Sequence, residues 1–245
     1  ERCDEAVAVW DNLLATSRSQ MFLYQRRLTM SDGRRFRDAM AGSEELEGDR
    51  SDRLRANVAY YHGLPEALIG AHRRRWEERL ATGQTREAYE ANGEWLYKRA
   101  FFRGDVTVDE IDRLILYGED VGYADPIRYG LLSRVFANPL DPEAAGWVDR
   151  LCALHRAEVP GPSAEEKWAE TCLAWVLEDY ARLAAIAKTI DDWPGAHANW
   201  IPMEVLLNHL GQAVAYEPAQ WLEPFEDVER RWVGHWRNWY ARVTA

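Results

Sequence analysis

The chain has 245 residues, 47% of them apolar and 29% charged, with a net charge of −11. That is enough for a full-sized core under a charged surface, and no apolar run approaches the ~18 residues that a membrane span needs, the longest, 181–190, being broken by Arg182 and Lys188. Residues 1–104 hold 18 Lys/Arg against 17 Asp/Glu, whereas residues 105–245 hold 12 against 24, and an acidic second half repels phosphate backbones, which argues against nucleic acid as the main partner.

Apolar residues recur with helical spacing and strand-like alternation is nearly absent. The pattern predicts helices over 3–16, 19–29, 32–41, 51–62, 64–81, 85–103, 107–121, 124–137, 142–158, 163–179, 180–190, 201–213 and 217–243. Along the first third, Arg34, Arg35 and Arg37 lie among Asp32 and Asp38, and Arg73, Arg74 and Arg75 precede Glu77 and Glu78; both groups read as solvated helix faces. The Gly-, Ser- and acid-rich stretch 41–52 reads as a flexible surface segment. Thr107–Glu110 and Ser163–Glu166 have capping-box form, and Asp141-Pro142 sets a cap residue before a first-turn proline. Gly83, Gly104, Gly122 and Gly161 read as helix stops, because glycine accepts the left-handed cap conformation. In the last segment Phe225, Val228, Trp232, Trp236, Trp239 and Val243 step by three or four residues, an aromatic stripe that includes three of the chain's twelve tryptophans. His235 falls beside that stripe as a half-buried packing residue. Pro224 suits the first turn, and Glu226–Arg230 and Asp227–Arg231 have the i,i+4 spacing of acid-then-base pairs.

The expected architecture is therefore all-α, built of antiparallel helical hairpins, with no significant β-sheet. No linker forces a split, so residues 1–245 read as a single domain, with a subdivision into N-terminal helices (1–83), repeat-like hairpins (84–190) and a Trp-rich loop with C-terminal helices (191–245). Two nonamers align without gaps, Leu96-Tyr97-Lys98-Arg99-Ala100-Phe101-Phe102-Arg103-Gly104 and, 18 residues on, Leu114-Ile115-Leu116-Tyr117-Gly118-Glu119-Asp120-Val121-Gly122. Each has a small residue four places before a closing glycine: the first admits a neighbouring helix and the second ends its own. Paired helices would then recur about every 35 residues, the scale of α-solenoids. On the segment 96–104 and this hairpin rhythm, residues 85–190 resemble the tetratricopeptide-like repeat superfamily, although that family's Trp…Leu-Gly…Tyr helix is not reproduced in order. The resemblance implies peptide or protein binding. An irregular helical bundle is the other reading of the same pattern.

Three cysteines, Cys3, Cys152 and Cys172, show neither CxxC nor Cys/His ligand spacing, so no metal site is predicted. Cys152 and Cys172 are symmetric about residue 162, at the end of the turn 159–162, which places them as neighbours across a hairpin: a disulfide in an oxidising compartment, or two thiols packed as small apolar groups. The chain opens on Glu1, so a periplasmic or secreted location is one expectation and a cytoplasmic one the alternative.

No G-x-S-x-G, H-E-x-x-H, phosphate loop or dinucleotide fingerprint occurs, the six histidines are scattered, and no motif implies a cofactor. The segment 191–202 stands out as a loop by its Pro and Gly content. Its Asp191, Asp192, Trp193, His197, Asn199 and Trp200 are the candidate binding residues, with a gap-filling structural role as the alternative. The expected function is a non-catalytic, protein-binding helical domain with a basic protein partner. A bacterial toxin-neutralising (immunity-type) protein is one version. The alternatives are a carbohydrate-acting hydrolase, with Asp191 or Asp192 as one of two carboxylates, and a small-ligand-binding protein with a Trp-rich cleft.

Overall fold

The computed structural model describes residues 2–47, 49–158, 163–191, 200–216 and 219–245. Among them the protein is all-α, with no strand. The helices are α1 (Arg2–Thr16), α2 (Gln20–Asp32), α3 (Phe36–Met40), α4 (Asp49–Tyr61), α5 (Pro65–Ala81), α6 (Thr85–Phe102), α7 (Val108–Val121), α8 (Ala124–Ala137), α9 (Ala144–Glu158), α10 (Ala164–Val176), α11 (Tyr180–Asp191), α12 (Ile201–His209) and α13 (Phe225–Val243), with a 3-10 turn at Ser43–Glu45. Among the described residues, no helix is long and apolar enough to cross a membrane.

The boundaries follow local chemistry. Both capping boxes form: Thr107 and Ser163 each accept from the backbone N–H of Glu110 and Glu166, whose carboxylates reach back to the cap. Gly83, Gly104 and Gly122 all take positive φ where their helices stop; Gly161 and the turn 159–162 lie outside the described residues. α12 ends earlier than its apolar pattern suggests. The Asn208 amide donates to Val214 O (2.8 Å) and accepts from Val214 N (3.1 Å), folding 210–214 back on the helix. Nor does α13 begin at 217. It starts at Phe225, directly after Pro224, and the expected i,i+4 pairs are replaced: Arg230 pairs with Asp227 (3.0 Å) and Arg231 with Glu223. The stretch 41–47 is pinned rather than loose. Gln20 bonds Glu45 O and Glu47 N, Arg27 donates to the carbonyls of Asp38, Ala39 and Ala41, and Leu46 is buried.

The chain divides into two compact units. Unit 1 comprises Glu1–Leu68 and Thr189–Val233, unit 2 Ile69–Lys188 and Gly234–Ala245, so the chain passes between them inside α5, α11 and α13. In unit 1, Phe36, Leu54, Val58, Tyr61, Trp200, Met203, Leu206, Val228 and Trp232 are buried. The Trp232 indole donates to Tyr61 O (3.0 Å) and meets Tyr60 edge-on, which satisfies its one polar atom. Through that core runs an ion pair: Arg34 and Glu204, each 2% exposed, bond through both guanidinium amines and both carboxylate oxygens. Arg34 is also a left-handed residue, φ 60°, an uncommon backbone for a non-glycine that turns its side chain inward between α2 and α3. The solvated reading of the 34–37 cluster is therefore corrected at Arg34.

In unit 2, α8 packs against α6, α7 and α9, and α10 packs against α8 and α9. α7 and α8 approach closely because an added Cβ on Gly118 would lie 2.6 Å from Ile127 Cγ1, and one on Gly130 would lie 2.4 Å from Ile115 Cγ1. The C-terminal tryptophans Trp236 and Trp239 are fully buried, with Phe101 ringed by Phe136, Trp168 and Trp236 at 4.8–5.3 Å. Trp239 donates to Phe136 O (2.9 Å), and Arg242 donates to the last carbonyls of α6, Ala100 and Phe101 (2.9 and 2.8 Å), a cation at the negative end of a helix dipole. His235, half-buried, sets its ring against Phe102 edge-on.

Removing one member of a buried pair strands the other charge. Glu204→Ala is expected to cost about 3–5 kcal/mol in urea unfolding, while Arg34→Met combined with Glu204→Leu costs less than either single change. A double variant as unstable as Glu204→Ala would show that the loss comes from packing and not from the uncompensated charge.

Candidate functional site

Of the residues nominated in 191–202, Asp192, Trp193, His197 and Asn199 lie outside the described residues, and Asp191 ends α11. Trp200 is 4% exposed and opens the buried run of α12, so its ring serves the core of unit 1 and not a surface.

Unit 1 does carry an aromatic cleft, but at Trp221. A surface cleft of about 610 Å³ is lined by Arg37, Asp38, Gln220, Trp221, Glu223, Pro224 and Phe225. The segment is tied to the α2–α3 turn through backbone pairing, Gln220 N to Arg34 O (2.9 Å) and Arg37 N to Gln220 O (3.1 Å). Below it, His62 donates from Nδ1 to Val58 O (2.8 Å) and accepts at Nε2 from Leu222 N (3.2 Å). Burial pushes His62 below its ordinary value, which favours the neutral tautomer that this pattern requires. Trp221 is half-buried, its ring held by Phe36 (5.1 Å), His62 (5.2 Å) and Phe225 (5.0 Å).

Unit 2 gathers ionisable and phenolic groups where α5, α6, α8 and α10 meet. Glu94 is the centre: it accepts from His72 Nδ1 (2.8 Å) and Arg75 Nη1 (2.9 Å), and Arg75 lies 3.8 Å from Glu90. Lys98, one turn on from Glu94, is buried with its ammonium 2.8 Å from the Tyr97 hydroxyl. Tyr97 stacks on Tyr129 (5.5 Å), and Tyr129 lies so close to α6 that a Cβ on Gly93 would come within 2.7 Å of its ring. Tyr123 reaches Asp125 (3.0 Å) and Glu90 (3.3 Å), and Arg128 pairs with Asp125 (3.0 Å).

The electrostatics follow from this crowding. Burial alone would raise Glu94, but His72, Lys98 and Arg75 together outweigh it and hold its carboxyl well below the usual range. Burial, with Lys98 and Arg75 adding to it, lowers His72 against the pull of Glu94, so the neutral Nδ1–H form is the donor near neutral pH. Burial brings Lys98 down to about 8, against the attraction of Glu94 and Glu165, and burial among Glu94 and Glu165 raises the Tyr129 phenol. Such perturbed groups concentrate at functional sites, although an ion-pair network produces them too. The i,i+4 series Glu90, Glu94, Lys98 and the pair His72, Arg75 at i,i+3 were the sequence signal for this cluster. They are helix-surface spacings found on any solvated face and did not single it out.

A second group lies between α9 and α10, where the Cys152 thiol and the Glu166 and Glu170 carboxylates come within 4.8 Å of one another. Arg156 (3.1 Å to Glu166) and Lys167 (2.7 Å to Glu170) already neutralise the acids, and burial with the neighbouring Glu166 raises the thiol. Cys152 and Cys172, for which a disulfide and two packed thiols were both open readings, are free, buried thiols. Facing Glu166 and Glu170, Cys152 meets the side of α10 opposite Cys172, which lies two residues, or about 200°, beyond Glu170 around the helix. Equal distance from a turn sets level along a hairpin, not azimuth.

Lys98 gives the cluster a pH signature. A lysine that titrates near 8 when folded and at its ordinary 10.5 when unfolded leaves the unfolded chain holding more protons in that window, so stability rises with pH between them. Urea midpoints are expected to climb over this range in the native chain relative to Lys98→Met; parallel profiles for the two would contradict the cost assigned to the buried ammonium. Comparison with family models, curated proteins and solved structures finds no match for this chain.

Proposed function

We propose that the chain is a non-catalytic, protein-binding helical domain that receives a partner polypeptide on the side of unit 2 formed by α6, α8 and α10. The reading rests on one observation: these three helices lie side by side and carry a band of charged and phenolic groups, buried at Tyr97 and Lys98 and half-buried at the rest. Glu90, Glu94, Tyr97 and Lys98 come from α6, Asp125, Arg128 and Tyr129 from α8, and Glu165 from α10. Alternate helices also start at similar intervals, α6, α8 and α10 at 85, 124 and 164, and α7, α9 and α11 at 108, 144 and 180. That rhythm supports a stack of helical hairpins related in construction to tetratricopeptide-like repeats. Recognition surfaces use tyrosine and paired charge in this way, rigid rings for area and fixed charges for register.

The acid excess of residues 105–245 favours a basic partner and faster encounter with it. A toxin-neutralising protein of bacteria is one concrete form of such a domain. Purification of the chain from its source at moderate salt is expected to bring down one stoichiometric protein. Its association rate should fall by about one to three decades from low to high salt. Glu165→Lys on α10 should slow association, while Glu77→Lys on the exposed side of α5 should not. A salt-independent rate, or equal effects of both reversals, would refute the assignment of this face.

A further inference from the structure

We propose that the Trp221 cleft of unit 1 is a binding site for a small aromatic carboxylic acid, its ring stacked on the Trp221 indole beside Phe225 and its carboxylate paired with the Arg37 guanidinium. The site lies apart in sequence and in unit from the α6–α8–α10 face and does not depend on that reading.

Three features carry the inference. The first is a fixed platform. Phe36, His62 and Phe225 surround the Trp221 ring at 5.0–5.2 Å, and His62 anchors the backbone beside it at Leu222, so the half-buried indole needs no ordering when a ring docks. The second is size. About 610 Å³ falls within the roughly 300–1,000 Å³ of small-molecule sites, with Pro224 and Phe225 as apolar walls and Gln220 as a polar edge.

The third is the sign of the uncommitted charge. Both carboxylates that line the cleft are already paired, Asp38 with Arg35 (2.6 Å) and Glu223 with Arg231. Arg37 is different. Its Nε donates to Trp221 O, which fixes the guanidinium beside the ring, and neither terminal amine has a partner among the described residues. Two parallel N–H groups of a held guanidinium match the two oxygens of a carboxylate. A cationic ligand would meet acids that Arg35 and Arg231 have already satisfied, together with the repulsion of Arg37.

Titration calorimetry of the full chain with three ligands of one shape and different charge tests this: indole-3-acetate, indole-3-acetamide and tryptamine. Saturable one-site binding of the acetate is expected, with the amide weaker by about tenfold or more and tryptamine weakest. Arg37→Met should remove the difference between acetate and amide at an unchanged melting temperature, and Trp221→Ala should weaken both. Equal affinity for acetate and amide, preference for tryptamine, or no saturable binding of the acetate overturns the proposal, and because these comparisons use the unaltered protein they hold even if a variant fails to fold.

Discussion

Unit 1 depends on one interaction, the pairing of Arg34 with Glu204 across 170 residues of sequence. Taking either charge out of water alone would cost several kcal/mol, so neither the α2–α3 turn nor the front of α12 can occupy its place without the other. The left-handed backbone at Arg34 adds roughly 1–2 kcal/mol of local strain, small beside an unpaired buried charge, and the larger cost decides the geometry. Other features follow in order. Once Arg34 points inward, its carbonyl faces outward to receive Gln220 N, Arg37 comes beside the same segment, and Trp221 is set over Phe36 and His62.

The helices were legible because their signals are local. Apolar period, capping boxes and stop glycines all concern residues within four or five positions of one another, and each of the thirteen expected helices has a counterpart. The Trp232, Trp236 and Trp239 stripe was legible for the same reason. What escaped were choices made by tertiary partners. Arg34, Arg35 and Arg37 look alike in sequence, yet one is buried, one bonds Asp4 and Asp38, and one borders a cleft. What separates them is the partner the fold brings to each: Glu204 to Arg34, Asp4 and Asp38 to Arg35, the Trp221 carbonyl to Arg37. Arg231 likewise had an acid four residues before it but pairs with Glu223, outside its helix, where the chain turns into α13.

Only three of the thirty basic residues are lysines, at 98, 167 and 188, and that bias has a structural side. Arg27 spans three carbonyls, Arg34 grips both oxygens of a carboxylate, and Arg242 caps two carbonyls at the end of α6. A planar fork with several donors does this; a single ammonium does not. Lys98 sits where geometry is less demanding, against one phenol and the field of two acids, and its lowered titration is the consequence. The arginine bias thus appears as multi-point contacts to carbonyls and a carboxylate.

The packing of rings in unit 2 bears on how the protein handles light. Trp168, Trp175, Trp236 and Trp239 form a chain with neighbouring centroids 5.9–6.1 Å apart. Ultraviolet excitation placed on any of them can hop between indoles before it is emitted, so fluorescence averages over the group instead of reporting single residues. The same closeness couples their transition dipoles and superimposes an exciton signal on the far-ultraviolet dichroism, where ellipticity taken as backbone alone would misstate how much of the chain is coiled.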